Sequence, residues 1–122
     1  MSKVLLIEDD PTMLSLLGTL LEMEGYQPVK LDQFEAIPDV VRQEMPDIVL
    51  MDVHLNEING LDILDELRQD EALKEIKMIM SSGMDFSRES IEHGANEFIQ
   101  KPYMPDDLID LIKKLSVQEG ES

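Results

Sequence analysis

The chain has no cysteine and no tryptophan, and its 122 residues carry only 10 basic side chains against 27 acidic ones. Without cysteine, disulfides and thiol chemistry are excluded, which is compatible with the cytoplasm. No apolar run approaches the ~18 residues that a membrane span requires, so no membrane association is expected. Nor is there a basic stretch leading into an apolar one with a small-residue cleavage site, and nothing directs export. The shortage of Lys and Arg leaves a formal net charge of −17. Affinity for nucleic acid rests on neutralising phosphates with such residues, so direct nucleic-acid binding is not expected. The charge serves solubility first, and the partner it would favour is basic or cation-rich.

What the chain does have is 43% hydrophobic residues, enough for one folded domain of this length. Strand-like and helix-like segments alternate from end to end, which predicts an α/β fold with a parallel sheet covered by helices on both faces. Strands are expected at Lys3 to Ile7, Gln27 to Leu31, Asp47 to Asp52, Met78 to Ser81 and Glu97 to Gln100. The first helix opens at Asp10-Pro11, a cap followed by proline at the first helical position. It buries Met13, Leu14, Leu17, Leu20 and Leu21, and stops at Gly25. A second helix runs near Glu35 to Glu44, with Pro38 in its first turn. A third follows Asn59-Gly60 and carries Leu61, Leu64 and Leu67. A short fourth helix near Arg88 to His93 closes at Gly94, leaving His93 as a solvated end residue. The last helix buries Leu108, Leu111, Ile112 and Leu115, with Asp106 and Asp107 in its first turn and Lys113 and Lys114 in its last, both favourable to the helix dipole. The nine methionines read as core filler. The domain is expected over residues 1–118, with 119–122 as a frayed polar tail.

The acids that matter stand at strand ends. Val4-Leu5-Leu6-Ile7 delivers Glu8, Asp9 and Asp10, and Ile48-Val49-Leu50-Met51 delivers Asp52. Phe98-Ile99-Gln100 runs into Lys101-Pro102. The C-terminal edge of an open parallel sheet is where ligands bind. Clustered carboxylates repel one another, and a small hard cation such as Mg²⁺ would relieve that repulsion through oxygen ligands. A carboxylate is also a competent nucleophile toward phosphorus. The transferred group would need a cation and donors around it, for which Lys101, Ser82 and the Gly83 N–H are candidates.

The ordered set resembles the receiver domain of two-component response regulators along nearly the whole chain. That resemblance implies a doubly wound, flavodoxin-like (βα)5 fold with strand order 2-1-3-4-5. It makes Asp52 the phosphoacceptor, Asp9 a direct Mg²⁺ ligand, Glu8 an acidic neighbour acting through water, and the His54 backbone carbonyl a further ligand. Ser82 then matches the switch hydroxyl, Lys101 the phosphate-pairing lysine and Phe98 the aromatic switch, while Asp10 is a helix cap. The Lys101–Pro102 peptide is expected to be cis, as receivers commonly have it. The implied partners are a histidine kinase or histidine phosphotransfer protein and a downstream output protein or domain.

Departures from the pattern are visible. Asn56 stands where proline is frequent, Asn59-Gly60 where Asp-Gly is usual, and the segment from Ser82 to Gly94 is shortened. Phe98 lacks the common phenolic hydroxyl. With many acids on the last helices, a monomer or weak dimer is expected. The rival readings are a Mg²⁺-dependent phosphohydrolase with an aspartyl nucleophile and a phosphorylation-independent scaffold. The first would want an acid at position 54, where this chain has His54, and a cap insertion for which there is no room. The chain is therefore read as a switch that catalyses only its own phosphoryl transfer and dephosphorylation, not as an enzyme with a metabolic product.

Overall fold

In the computed structural model, which describes residues 2–120, five parallel strands form one sheet. They are β1 (Lys3–Ile7), β2 (Gln27–Leu31), β3 (Ile48–Asp52), β4 (Lys77–Ser82) and β5 (Glu97–Gln100). Their order across the sheet is 2-1-3-4-5. The helices between them are α1 (Pro11–Met23), α2 (Ile37–Glu44), α3 (Gly60–Gln69), α4 (Ser87–Glu92) and α5 (Pro105–Gly120).

Strand alternation divides the core between the two faces of the sheet. Leu5, Ile7, Val49, Met51, Met78 and Met80 pack with Ile37 and Val41 of α2 and with Leu61, Leu64 and Leu67 of α3. Val4, Leu6, Ile48, Leu50 and Ile79 pack with Leu14, Leu17 and Leu21 of α1 and Leu108, Ile112 and Leu115 of α5. The central strand β3 is buried at every position. Each such aliphatic side chain contributes roughly 1.5–3 kcal/mol of burial, so the strand that carries Asp52 is the most firmly seated one.

The helix starts follow local chemistry. The Asp10 carboxylate accepts from the N–H groups of Thr12 and Met13, and the Asn59 side chain accepts from that of Leu61. Both satisfy donors that the first helical turn leaves open. The α1 helix gives way to Gly25 at φ 90°, and Gly94 follows α4 at φ 107°, conformations that glycine adopts without a Cβ penalty.

Four expectations need correction. Lys113 and Lys114 do not close the last helix, because α5 continues to Gly120. They pair sideways instead, with Glu24 at 2.7 Å and Glu97 at 2.9 Å. The tail read as frayed therefore enters the helix, and residues 121 and 122 lie outside the described ones. His93 is not simply solvated: its Nδ1 sits 2.7 Å from Asp65 Oδ1 on α3. The methionines are only partly core, since Met51, Met78 and Met80 are buried but Met23, Met45, Met84 and Met104 are exposed.

Candidate phosphoacceptor and metal site

Asp52 ends β3 at the C-terminal edge, between β1 and β4. The chain then turns back on itself in a short antiparallel ribbon, His54–Leu55 with Ile58–Asn59, around Asn56 at φ 58°. The Gly60 N–H donates to the Val53 carbonyl at 2.6 Å. A Cβ on Gly60 would overlap the Asp52 backbone carbonyl, so only glycine lets α3 start this close to the end of β3. The ribbon escapes sequence reasoning because two-residue strands show no period.

Lys101 crosses the edge from β5 and holds two acids at once. Its Nζ donates to Asp52 Oδ2 at 2.6 Å and to Glu8 Oε1 at 2.7 Å. The Lys101–Pro102 peptide is cis, and the Lys101 N–H donates to the Ser82 carbonyl at 2.8 Å. Glu8 is 3% exposed and Asp52 7% exposed, whereas Asp9 faces solvent. The remaining Glu8 oxygen accepts from the Asp9 N–H at 2.9 Å, and Asp52 Oδ1 from the His54 N–H at 3.3 Å.

Burial pushes the Glu8 carboxyl above its ordinary value, against the opposing hydrogen bond from Lys101. Burial alone would lower Lys101, but its hydrogen bonds to Asp52 and Glu8 outweigh that and hold the ammonium above its usual range. One lysine thus carries the compensation for two nearly dry carboxylates.

Glu8, Asp9 and Asp52 each offer a carboxylate oxygen, all within 4.8 Å of one another. An all-oxygen donor set of this density fits a hard divalent ion. The structure does not draw Ser82 to Asp52: its buried hydroxyl accepts from the Met84 N–H at 3.2 Å. The Gly83 carbonyl accepts from Gln100 Nε2 at 3.2 Å, linking the loops after β4 and β5. Phe98 is half-buried against the α2–α3 side of the core. The exposed His54 ring meets Phe86 edge to face, with centroids 5.4 Å apart, bridging the ribbon and the start of α4. Asp10 stays with its helix cap and out of the acid cluster.

The model of the response regulator receiver domain matches residues 4–113. The chain belongs to this family. It is 34% identical over 113 residues to the transcriptional regulatory protein YxdJ of Bacillus subtilis, covering 93% of this chain and 49% of that protein. With the transcriptional regulatory protein CpxR of Escherichia coli the identity is 34% over 116 residues, covering 94% and 49%. The chain spans about half the length of these curated relatives. A CheY-like receiver domain protein from Methanospirillum hungatei superposes with TM-score 0.87 at 28% identity, over 100% of this chain and 99% of that one. A response regulator structure from Chloroflexus aurantiacus gives 0.85 at 26%, over 93% and 96%. Among the described residues of this receiver domain, no helix is long and apolar enough to cross a membrane.

Two residues went unremarked in the sequence, one at the opposite edge of the sheet and one beside the site. Arg68 of α3 donates to the carbonyls of Gly94, Lys74 and Ile76 and to Asn96 Oδ1. Tyr103 stands directly after Lys101-Pro102, and that position was its only signal.

Proposed function

We propose that this receiver is a phosphorylation-dependent switch of a two-component system, accepting a phosphoryl group on Asp52 from a histidine kinase or histidine phosphotransfer protein. The observation that supports this most is the Lys101 ammonium seated on both Asp52 and Glu8, beside Asp9, at the C-terminal edge of the sheet. An Asp52 oxygen attacks phosphorus, its O–P bond forming as the donor's N–P bond breaks, and the departing imidazole takes up a proton. Lys101 then shifts from the carboxylates to the more highly charged phosphoryl oxygens. Ser82 and the Gly83 N–H are the donors that would follow it, vacating space for Phe98. Glu8, Asp9, Asp52 and the His54 carbonyl would hold Mg²⁺, which when bound neutralises charge on the phosphoryl oxygens.

The chain catalyses only its own phosphoryl transfer and loss, acts in the cytoplasm, and passes its signal to an output protein or domain. The acids Glu89, Asp106, Asp107 and Asp110 support a basic output partner and a monomer or weak dimer, because self-pairing would oppose like charges. Acetyl phosphate with Mg²⁺ is expected to add one phosphoryl group by intact mass, and Asp52→Asn or chelation to abolish it. Undiminished labelling of Asp52→Asn would remove Asp52 from the role.

A further inference from the structure

Tyr103 is half-buried against the α1–α5 side of the core, yet its hydroxyl oxygen is wholly buried and has no hydrogen-bond partner. A buried hydroxyl left in this way costs about 1–3 kcal/mol, and phenylalanine would fill the same space without that cost. The ring lines a cleft of ≈ 500 Å³ together with Glu8, Met13, Gly83 and Lys101. The hydroxyl is therefore a spare donor on a residue that shares this cleft with Glu8 and Lys101.

Glu8 is the acid that stands to need one. Its charge is met by Lys101 Nζ at 2.7 Å and the Asp9 N–H at 2.9 Å, and among the described residues it forms no other ion pair. The same Nζ holds Asp52. Any step that draws Lys101 onto a phosphoryl group takes from Glu8 its one side-chain hydrogen-bond donor, and although Mg²⁺ would share the charge, a buried carboxylate oxygen left without a donor is costly.

We propose that Tyr103 is a positioning residue for the phosphorylated state, its hydroxyl turning to donate to the Glu8 carboxylate as Lys101 leaves it. The inference rests on the functional reading above. Burial, with the Glu8 charge adding to it, pushes the Tyr103 hydroxyl up to about 12. It is therefore a protonated donor throughout the physiological range. The resting structure carries the cost of the lone hydroxyl, and the switched structure recovers it.

The test uses the phosphoryl mimic beryllofluoride with Mg²⁺ on the full chain. Only two tyrosines are present, so ¹³Cζ-labelled tyrosine gives two resonances, assigned with Tyr26→Phe. The Tyr103 resonance should move as beryllofluoride saturates, in the direction of a hydroxyl gaining an acceptor. Tyr103→Phe should leave the resting protein at least as stable, while weakening beryllofluoride binding by about tenfold, as loss of one hydrogen bond to a charged acceptor would. An unmoved resonance overturns the proposal, even if affinity falls, because packing alone would then be responsible. If Tyr103→Phe fails to fold, the resonance in the unsubstituted ring still decides. If the unsubstituted chain neither binds beryllofluoride nor takes label from acetyl phosphate, the functional reading falls and this inference with it. Labelling with no Tyr103 response sinks this inference alone.

Discussion

Replacing Lys101 with methionine keeps most of the aliphatic stem and deletes the ammonium, leaving Glu8, Asp9 and Asp52 within 4.8 Å of one another with no cation between them. Removing one partner of a buried ion pair costs about 3–5 kcal/mol. Here the lysine side chain is 26% exposed, and each acid keeps one backbone N–H, so about 2–3 kcal/mol is the expected loss at pH 7 in chelator, scaled down from that range. For a domain of this size that is a melting-point drop of roughly 6–15 °C. The pH dependence identifies the cause. Burial already raises Glu8, and deleting Lys101 removes the interactions that restrain that rise. A carboxyl with a raised folded-state pKa favours folding below its unfolded value of 4.5 and loses that contribution as pH rises through the folded value. The deficit of Lys101→Met should therefore be largest at pH 7 and shrink toward pH 5. Mg²⁺ should restore more stability to the variant than to the parent, since it supplies the missing cation. Urea denaturation followed by circular dichroism, at both pH values with and without Mg²⁺, measures all of this. A deficit below about 0.5 kcal/mol, or one that is the same at both pH values, would refute electrostatic compensation by Lys101, because such a loss lies within ordinary surface substitutions.

Asp9→Asn should weaken Mg²⁺ binding measured by calorimetry or NMR much more than Asp10→Asn does, because Asp9 belongs to the carboxylate cluster while Asp10 caps α1. Asparagine preserves the cap, so equal effects would mean that the acidic run has been misassigned. Arg68→Ala should destabilise the fold by about 2–3 kcal/mol, dominated by the half-buried bond to the Ile76 carbonyl at 2.8 Å. Arg68→Lys should recover only part of this, since a single ammonium cannot span the same four acceptors. Full recovery by lysine would show that charge alone matters there.

Much of the layout was legible because each local signal had one physical meaning. The run from Ile48 to Met51 is apolar at every position, and its shortness and the flanking Pro46 favour a strand buried on both faces over a helix. Asp10-Pro11 and Asn59-Gly60 announced helix starts by their caps. The ordered acids and Lys101 marked the site, and the fold brings Glu8, Asp9, Asp52 and Lys101 together. What escaped depends on partners far along the chain. Asp65 and His93 are 28 residues apart, as are Arg68 and Asn96, and no periodicity relates them. Lys113 and Lys114 were misplaced because nothing after them breaks the helix: Ser116-Val117-Gln118-Glu119 continues it at little cost. Glu24 and Glu97 then offered nearer partners than the helix end.

On the proposed reading, the acid cluster also accounts for a single lysine at the site of a switch. Lys101 stands 2.6 Å from Asp52 and 2.7 Å from Glu8, so neither acid holds it alone. A second lysine beside Glu8 would compensate both acids permanently, and a phosphoryl group on Asp52 would then find no neighbour obliged to respond. With one, the added charge of roughly −1.5 to −2 would, on the proposed reading, outbid Glu8 and force a rearrangement in the elements attached to Lys101. Those elements are β4, whose Ser82 carbonyl holds the Lys101 N–H, and the loop to α5, which begins with Pro102 and Tyr103. On that reading the gap left at Glu8 would follow from economy in cations. It would open on the side of the site that Tyr103 lines, where the buried Tyr103 hydroxyl has no hydrogen-bond partner.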